Sequence, residues 1–273
     1  MPELPEVEIV KRGITPITKG KKITSIFVGK KDLRWPIPKS IEKDLKGFTC
    51  KAPKRRGKYI LIPLSNKQIL LSHLGMSGSF RIYSNRPNFQ KHDHFALGFE
   101  SDEWLVFGDP RRFGYIDVFG EEYATSHRFL KNLGVEPLSN DFDSDYLITR
   151  TAGKNCTIKS FLLDQTKIAG IGNIYASEAL FDARISPKRQ AKTINGKRAK
   201  RLVTSIKTIL LKAIKAGGTS IRNHIQPRGE LGYFVQSLKI YGRSGNPCFN
   251  CGSVVKEFKQ SGRTTFHCSL CQR

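Results

Sequence analysis

The residues best suited to covalent chemistry stand together at the start of the chain, in Met1-Pro2-Glu3-Leu4-Pro5-Glu6-Val7. Removal of Met1 gives Pro2 a free secondary amine. An α-amino group titrates near pH ~8, so a useful fraction is uncharged at neutral pH. Such an amine attacks electrophilic carbon and forms an iminium, the charged relative of a lysine Schiff base. Glu3 puts a carboxylate one residue away, suited to proton transfer. The same stretch also reads as an ordinary capped amphipathic helix, because acids early and bases late suit the helix dipole.

A second set of chemistry-bearing residues closes the chain. Four of the six cysteines, Cys248, Cys251, Cys268 and Cys271, follow a C-x2-C-x16-C-x2-C spacing. Two such knuckles in a chain expected to be cytosolic read as one structural zinc site rather than as disulfides. Four thiolates fill a tetrahedral ion and leave no open position for catalysis. Cys50 and Cys156 are unmatched and read as packed thiols.

These groups need elements to hold them. Pro5 suits a first helical turn, and Val7, Val10 and Ile14 recur at helical spacing, with Gly13 a possible C-cap. Residues 22–28, 59–64, 68–73, 79–83, 95–99, 104–107 and 115–119 are short apolar or β-branched runs separated by turn signals. They predict a β-sandwich or barrel. Past Glu121 the period changes. Helices are expected at 126–133, 143–150, 157–164, 173–183 and 195–216, and a hairpin at 254–267 turning at Gln260-Ser261-Gly262. The division this implies is an N-terminal domain 1–121, a linker 122–136, a helical domain 137–237 and a zinc finger 238–273, an α+β chain of two domains.

Composition narrows the partner. Lys and Arg total 47 against 23 Asp and Glu, a net charge of +24 with a pI near 10.0. That balance is the footprint of nucleic-acid binding. Thirteen Lys and Arg, and no acid, lie between Ala183 and Gly229. No apolar run reaches the ~20 residues of a membrane span, and no signal region opens the chain, so a cytoplasmic protein is expected.

Taken together, Pro2-Glu3-Leu4-Pro5-Glu6-Val7-Glu8, His73-Leu-Gly-Met-Ser-Gly78, Lys91-His-Asp-His94, Asp109-Pro-Arg-Arg-Phe-Gly114, Gly170-Ile-Gly-Asn-Ile-Tyr175 and the four-cysteine finger resemble the bacterial formamidopyrimidine-DNA glycosylases. The likeness runs in order along essentially the whole chain. It implies an enzyme that excises oxidised purines from double-stranded DNA and then nicks the strand, also at abasic sites. Pro2 would attack the sugar and Glu3 would shuttle protons. Lys58 would serve β-elimination and Arg263 δ-elimination. Met76, Arg111 and Phe113 would fill the gap left by a flipped base. His73, His92, Arg111, Lys154 and Asn173 would contact DNA. Glu6, Thr219, Ser220 and Tyr233 would line the lesion pocket, on a loop that departs from the family's commonest wording at Ile225-Gln226-Pro227-Arg228. A monomer is implied.

Two other readings stay open on the residues alone. An enzyme like the endonuclease VIII glycosylases would take oxidised pyrimidines on the same fold. Those relatives typically lack the Leu4 and Arg-x-Phe features, so the resemblance at Leu4, Arg111-Arg112-Phe113 and the 217–235 loop argues against it. A zinc-finger module that only binds damaged DNA would need neither Pro2 nor Glu3. Lys58 also reads as one more phosphate-neutralising cation beside Lys54, Arg55 and Arg56.

Overall fold

The computed structural model describes residues 2–30, 32–219 and 234–273. Contacts group the chain into two compact units, Met1–Lys131 with Ala216–Tyr233, and Asn132–Lys215 with Phe234–Arg273.

The first unit opens with helix α1 (Leu4–Thr18). Gly13, expected to end this helix, lies inside it. Ile14 and Ile17 are buried in the core, so packing carries the helix a further turn and tolerates Pro16 within it. Two four-stranded antiparallel sheets follow. One holds β1 (Ile23–Val28), β6 (Asp93–Phe99), β7 (Trp104–Gly108) and β5 (Ser79–Tyr83), in that order. The other holds β2 (Lys54–Arg56), β3 (Tyr59–Pro63), β4 (Gln68–His73) and β8 (Tyr115–Gly120). The short helix α2 (Ile41–Leu45) lies between β1 and β2 in the chain. One core is shared by Val7, Val10 and Ile14 of α1, by Phe95, Leu97 and Phe107 of the first sheet, and by Ile60, Ile62 and Ile116 of the second. The architecture is the expected sandwich with a helix against it.

Residues 126–133, expected as a helix, form successive turns instead. Their side chains face different anchors on the first unit, which a single helical face could not satisfy. The His127 ring stacks on Phe119, and its Nε2 lies 3.1 Å from Asp117 Oδ2. The Arg128 guanidinium lies over Trp35, Tyr115 and Phe129, and donates to Tyr115 Oη at 2.8 Å.

The second unit holds α3 (Ser144–Thr151), α4 (Ile158–Leu163), α5 (Asn173–Asp182) and α6 (Gly196–Lys215), then the hairpin β9 (Lys256–Gln260) and β10 (Arg263–His267). Asp143 caps α3, its carboxylate accepting the Tyr146 N–H at 2.7 Å. Gly134 is required by close approach, since a Cβ there would meet the Lys167 carbonyl at 2.2 Å. Among the described residues no helix is long and apolar enough to cross a membrane.

Candidate active site, nucleic-acid contacts and metal centre

In the first unit Pro2 and Glu3 are buried at the head of α1. Glu6 is the fixing point. Its Oε2 accepts the Glu3 backbone N–H at 2.9 Å. Its Oε1 accepts both the backbone N–H and the hydroxyl of Thr219, at 3.0 and 2.9 Å. One buried carboxylate thus holds the start of the helix and the last described residue before the 220–233 segment. The adjoining Gly218 has φ +76, and a Cβ there would stand 3.2 Å from Glu6 Oε1. Ser220 and Tyr233, expected in the lesion pocket, lie outside the described residues.

Lys58 is nearly buried in the turn between β2 and β3. Arg55 ties this turn to α1: its Nη1 donates to the Gly57 carbonyl at 2.9 Å and its Nε to Glu8 Oε2 at 3.1 Å. Glu8 Oε1 takes Lys11 and Arg12 at 2.8 and 2.9 Å. Burial opposes ionisation of Glu8, but hydrogen bonds from Lys11 and Arg12 outweigh it and hold its carboxyl below the usual range. Arg55 is therefore a brace, not a free phosphate ligand.

His73 ends β4, its ring 4.8 Å from that of Tyr59. Its Nδ1 accepts the Gly75 N–H at 3.0 Å, which leaves the ring proton on Nε2. Burial first, then Lys58, pushes its pKa down to about 4, against the pull of Asp109. His73 is a neutral donor at physiological pH.

Met76 and Phe113 are 41% and 42% exposed, which separates them from the core residues they resemble in type. Arg111 lies with its guanidinium 5.0 Å from the Phe113 ring centroid. The residue that brings the three together is the fully buried Asp109. Its Oδ1 accepts from Ser77 Oγ at 2.5 Å and the Arg111 N–H at 3.2 Å, and its Oδ2 accepts the Gly114 N–H at 2.6 Å. Asp109 was not singled out from sequence. An Asp before a Pro in a turn-rich stretch was the available signal. His92 is exposed whereas His94 is buried, with Nε2 3.0 Å from the Asp109 carbonyl.

In the second unit Arg263 is exposed and opens β10. Ser261 and Gly262, with φ +49 and +72, form the two-residue turn before it, as type I′ hairpins require. The neighbouring backbone is gripped from two helices. Asn173 Nδ2 donates to the Thr264 carbonyl at 3.0 Å, and the buried Lys159 of α4 donates to Thr265 Oγ1 at 2.7 Å. Thr157 and Ser160 hold the turn through Gln260 and Ser261, at 2.6 and 2.9 Å. One amide hydrogen of Asn173 is thus engaged by protein rather than reserved for phosphate. Lys154 is exposed between α3 and α4. Cys156, expected to be packed, is exposed too, whereas Cys50 is buried and its thiol is pushed up to about 12 by burial.

The sulfurs of Cys248, Cys251, Cys268 and Cys271 all lie within 4.8 Å of one another. A tetrahedral ion with bonds of about 2.3 Å needs sulfurs roughly 3.8 Å apart. The Cys251–Cys268 and Cys248–Cys271 separations are 3.5 and 3.9 Å. Backbone N–H groups of Asn250 and Cys271 point at Cys248 and Cys268 Sγ, both at 3.4 Å, the second-layer support a metal site uses. The cluster can hold one metal ion. Glu178 of α5 fixes the chain leading into it, accepting N–H groups of Lys239, Ile240 and Tyr241 at 2.8–2.9 Å.

Residues 1–116 match the formamidopyrimidine-DNA glycosylase N-terminal domain, and residues 133–224 match that family's H2TH domain. A formamidopyrimidine-DNA glycosylase from a Bradyrhizobium species is 45% identical over 293 aligned residues, covering all of both chains. The solved Lactococcus lactis Fpg (MutM) in complex with DNA containing N7-benzyl-Fapy-dG superimposes with a TM-score of 0.91 at 35% identity, covering all of both chains. The same L. lactis protein solved with DNA containing an oxidised pyrimidine gives 0.90 at 34%, again over the whole of both. The chain belongs to the formamidopyrimidine-DNA glycosylase family. It is a DNA glycosylase, an enzyme of base excision repair.

Proposed function

We propose that this glycosylase removes oxidised purines, 8-oxoguanine and formamidopyrimidines, and then cuts the strand as an abasic-site lyase. The observation that carries the reading is the buried Pro2-Glu3 pair at the head of a core helix. After loss of Met1, the Pro2 nitrogen attacks C1′ of the damaged nucleotide, and the C1′–N bond breaks as the base leaves with its electron pair. Glu3 protonates the ring oxygen, the sugar opens, and the amine and C1′ become an iminium. The iminium draws electrons from C2′. Loss of a C2′ proton expels the 3′ phosphate, and a second elimination expels the 5′ phosphate. Lys58 acts in the first elimination and Arg263 in the second, with Arg263 on phosphate. Met76 and Phe113 fill the gap left by the flipped base, and Arg111 faces the orphaned partner base. His73, His92, Lys154 and Asn173 contact the DNA backbone. Glu6 and Thr219 border the lesion pocket.

Zinc is the metal we assign to the cysteine cluster. It would stabilise the hairpin that carries Arg263 and take no part in bond breaking. The protein works as a monomer in the cytoplasm, on duplex DNA holding oxidised bases or abasic sites. Pyrimidine lesions are the second substrate class, favoured by the L. lactis complex with an oxidised pyrimidine.

The test is a product analysis on matched duplexes containing 8-oxoguanine, an oxidised pyrimidine or no lesion. Release of free 8-oxoguanine, with phosphate left on both ends of the gap, is expected. Tight binding with an intact glycosidic bond would leave only a damage-binding module. Preferential release of the pyrimidine would move the enzyme to the second class.

A further inference from the structure

Helix α6 presents a solvent face that the proposed reaction does not use. Its buried side, Leu202, Ile206, Ile209, Leu210 and Ala213, packs inward. Besides Gly196 at its start, seven of its residues are exposed, namely Lys197, Lys200, Arg201, Thr204, Leu211, Lys212 and Lys215. Five of the seven are cations, and the helix contains no acid. Lys197 and Lys215 are five full turns apart and share one line along the helix, about 27 Å long.

A solvated helix face ordinarily mixes signs at i, i+3 and i+4. Here Lys197 meets Lys200 and Arg201 at those spacings, and Lys212 meets Lys215. Like charges so placed destabilise a helix unless something neutralises them. The repulsion extends beyond the helix, where the Arg198 charge depresses the Arg189 guanidinium, after burial, below its usual range. The acid beside the stripe is Asp182, in a cleft of about 320 Å3 lined also by Ala183, Lys200, Arg201, Thr204 and Ser205. Its Oδ2 accepts the Ser205 hydroxyl at 2.6 Å.

The Lys200–Arg201 part of the stripe stands apart from Asn173 and the hairpin; Lys154, whose carbonyl accepts the Lys192 N–H at 3.0 Å, lies nearer the start of α6. Ser205 packs against Asp182 at the end of α5, whereas Asn173 and the Thr264 carbonyl it holds are at the start of α5. These ends are about 14 Å apart along the helix.

We propose that this face of α6 is a second, sequence-independent binding surface for the phosphate backbone of duplex DNA. It takes an undamaged stretch of duplex and makes no contact with the reacting nucleotide. A roughly 27 Å face with cations clustered at both ends, Lys197, Lys200 and Arg201 at one and Lys212 and Lys215 at the other, runs alongside roughly 8 base pairs of duplex, enough for several phosphate contacts without base readout.

The experiment compares the full-length, zinc-loaded protein with a quadruple variant, Lys200→Gln, Arg201→Gln, Lys212→Gln and Lys215→Gln. All four positions are exposed, so the fold should be kept, and equal melting temperatures verify it. With a short undamaged duplex in excess at low salt, the parent should bind a second duplex and the variant only one. In the parent, up to about 3.6 of the slope of log K against log salt for the second event should come from these four cations, at about 0.9 each. Single-turnover excision on a short lesion duplex should be unchanged. Equal second-duplex binding by both proteins overturns the proposal. So does a matching loss in lesion excision, which would put these residues in the primary site. Sedimentation with vesicles of anionic lipid is the third arm. A loss confined to vesicle binding assigns the face to a membrane surface and also overturns it.

Discussion

The two units hold the residues proposed to act by opposite hydrogen-bonding means. In the first unit, buried carboxylates collect backbone N–H groups. Glu6 holds Glu3 and Thr219, and Asp109 holds the residues around Arg111 and Phe113. In the second, side-chain donors seize acceptors of the hairpin, the buried Lys159 taking Thr265 and the half-buried Asn173 taking Thr264. The difference follows from the local backbone. Turns and helix starts expose orphan N–H groups, which an acid satisfies. The hairpin offers a carbonyl and a hydroxyl on its docked face, which a cation and an amide satisfy. The groups that aim, Glu6, Asp109 and Lys159, are buried; of the groups proposed to act, Met76, Phe113 and Arg263 are exposed, whereas Pro2 and Glu3 are buried themselves.

The largest effect should come from removing the zinc proposed for the four-cysteine cluster. Structural zinc contributes on the order of 10 kcal/mol to modules of this kind. A two-stranded hairpin is marginal alone. Chelation should disorder residues 248–271 by amide exchange and leave the strands of the first unit protected. Protection lost equally in both units would erase the contrast between them.

Asp109→Ala should come next. It strands the buried Gly114 N–H, at a cost of roughly 1–3 kcal/mol, and removes the acceptor of the Ser77 hydroxyl, while the Arg111 N–H keeps Ser77 Oγ at 3.2 Å. Thermal stability should fall, and lesion-duplex affinity should fall with it, because the loops bearing Met76, Arg111 and Phe113 lose their common anchor. Retained affinity in a folded variant would show that those loops hold their shape without it.

Lys159→Met should cost about 1–3 kcal/mol while zinc content, measured colorimetrically, stays at one per chain. Binding of lesion duplex should weaken, and adding Arg263→Ala should weaken it little further, since coupled residues are not additive. Full additivity would show that Lys159 does not aim Arg263.

The smallest effect concerns His73. Its folded pKa, about 4, lies below the ordinary value near 6.5. At pH values above ~6.5 the ring is neutral in both states and contributes no pH dependence. As pH falls from ~6.5 to about 4, the unfolded chain takes up the proton first and stability is lost. His73→Asn keeps an acceptor for the Gly75 N–H and should flatten the stability curve across that window alone. An unchanged slope would mean that the ring is solvated.

Period and turn chemistry made the strands legible. Gln68–His73, Ser79–Tyr83 and Arg263–His267 start and stop as the sequence predicts. The end of α1 was not legible, because Gly13 is a local signal and the burial of Ile14 and Ile17 is a tertiary one. Residues 126–133 failed as a helix for the same reason, since their anchors are Asp117, Phe119, Tyr115 and Trp35. The motifs pointed to Pro2, Glu3, the loops bearing Met76, Arg111 and Phe113, and the four cysteines, but not to Asp109, Lys159 or Glu178 as the residues that hold their surroundings. Glu178 bonds to backbone N–H groups about 60 positions away, and Lys159 to a hydroxyl 106 away. Backbone partners carry no side-chain signature, so no spacing announces them.

The account turns on the Pro2 nitrogen, and borohydride trapping tests it most directly. Only an iminium can be reduced to a stable amine linking protein and sugar. Processed protein, mixed with an 8-oxoguanine duplex and borohydride, should give a covalent adduct whose peptide begins at Pro2. Protein retaining Met1 should give none, because its Pro2 nitrogen is a peptide nitrogen. An adduct on Lys58 or another lysine, or no adduct from the processed protein, would contradict the account.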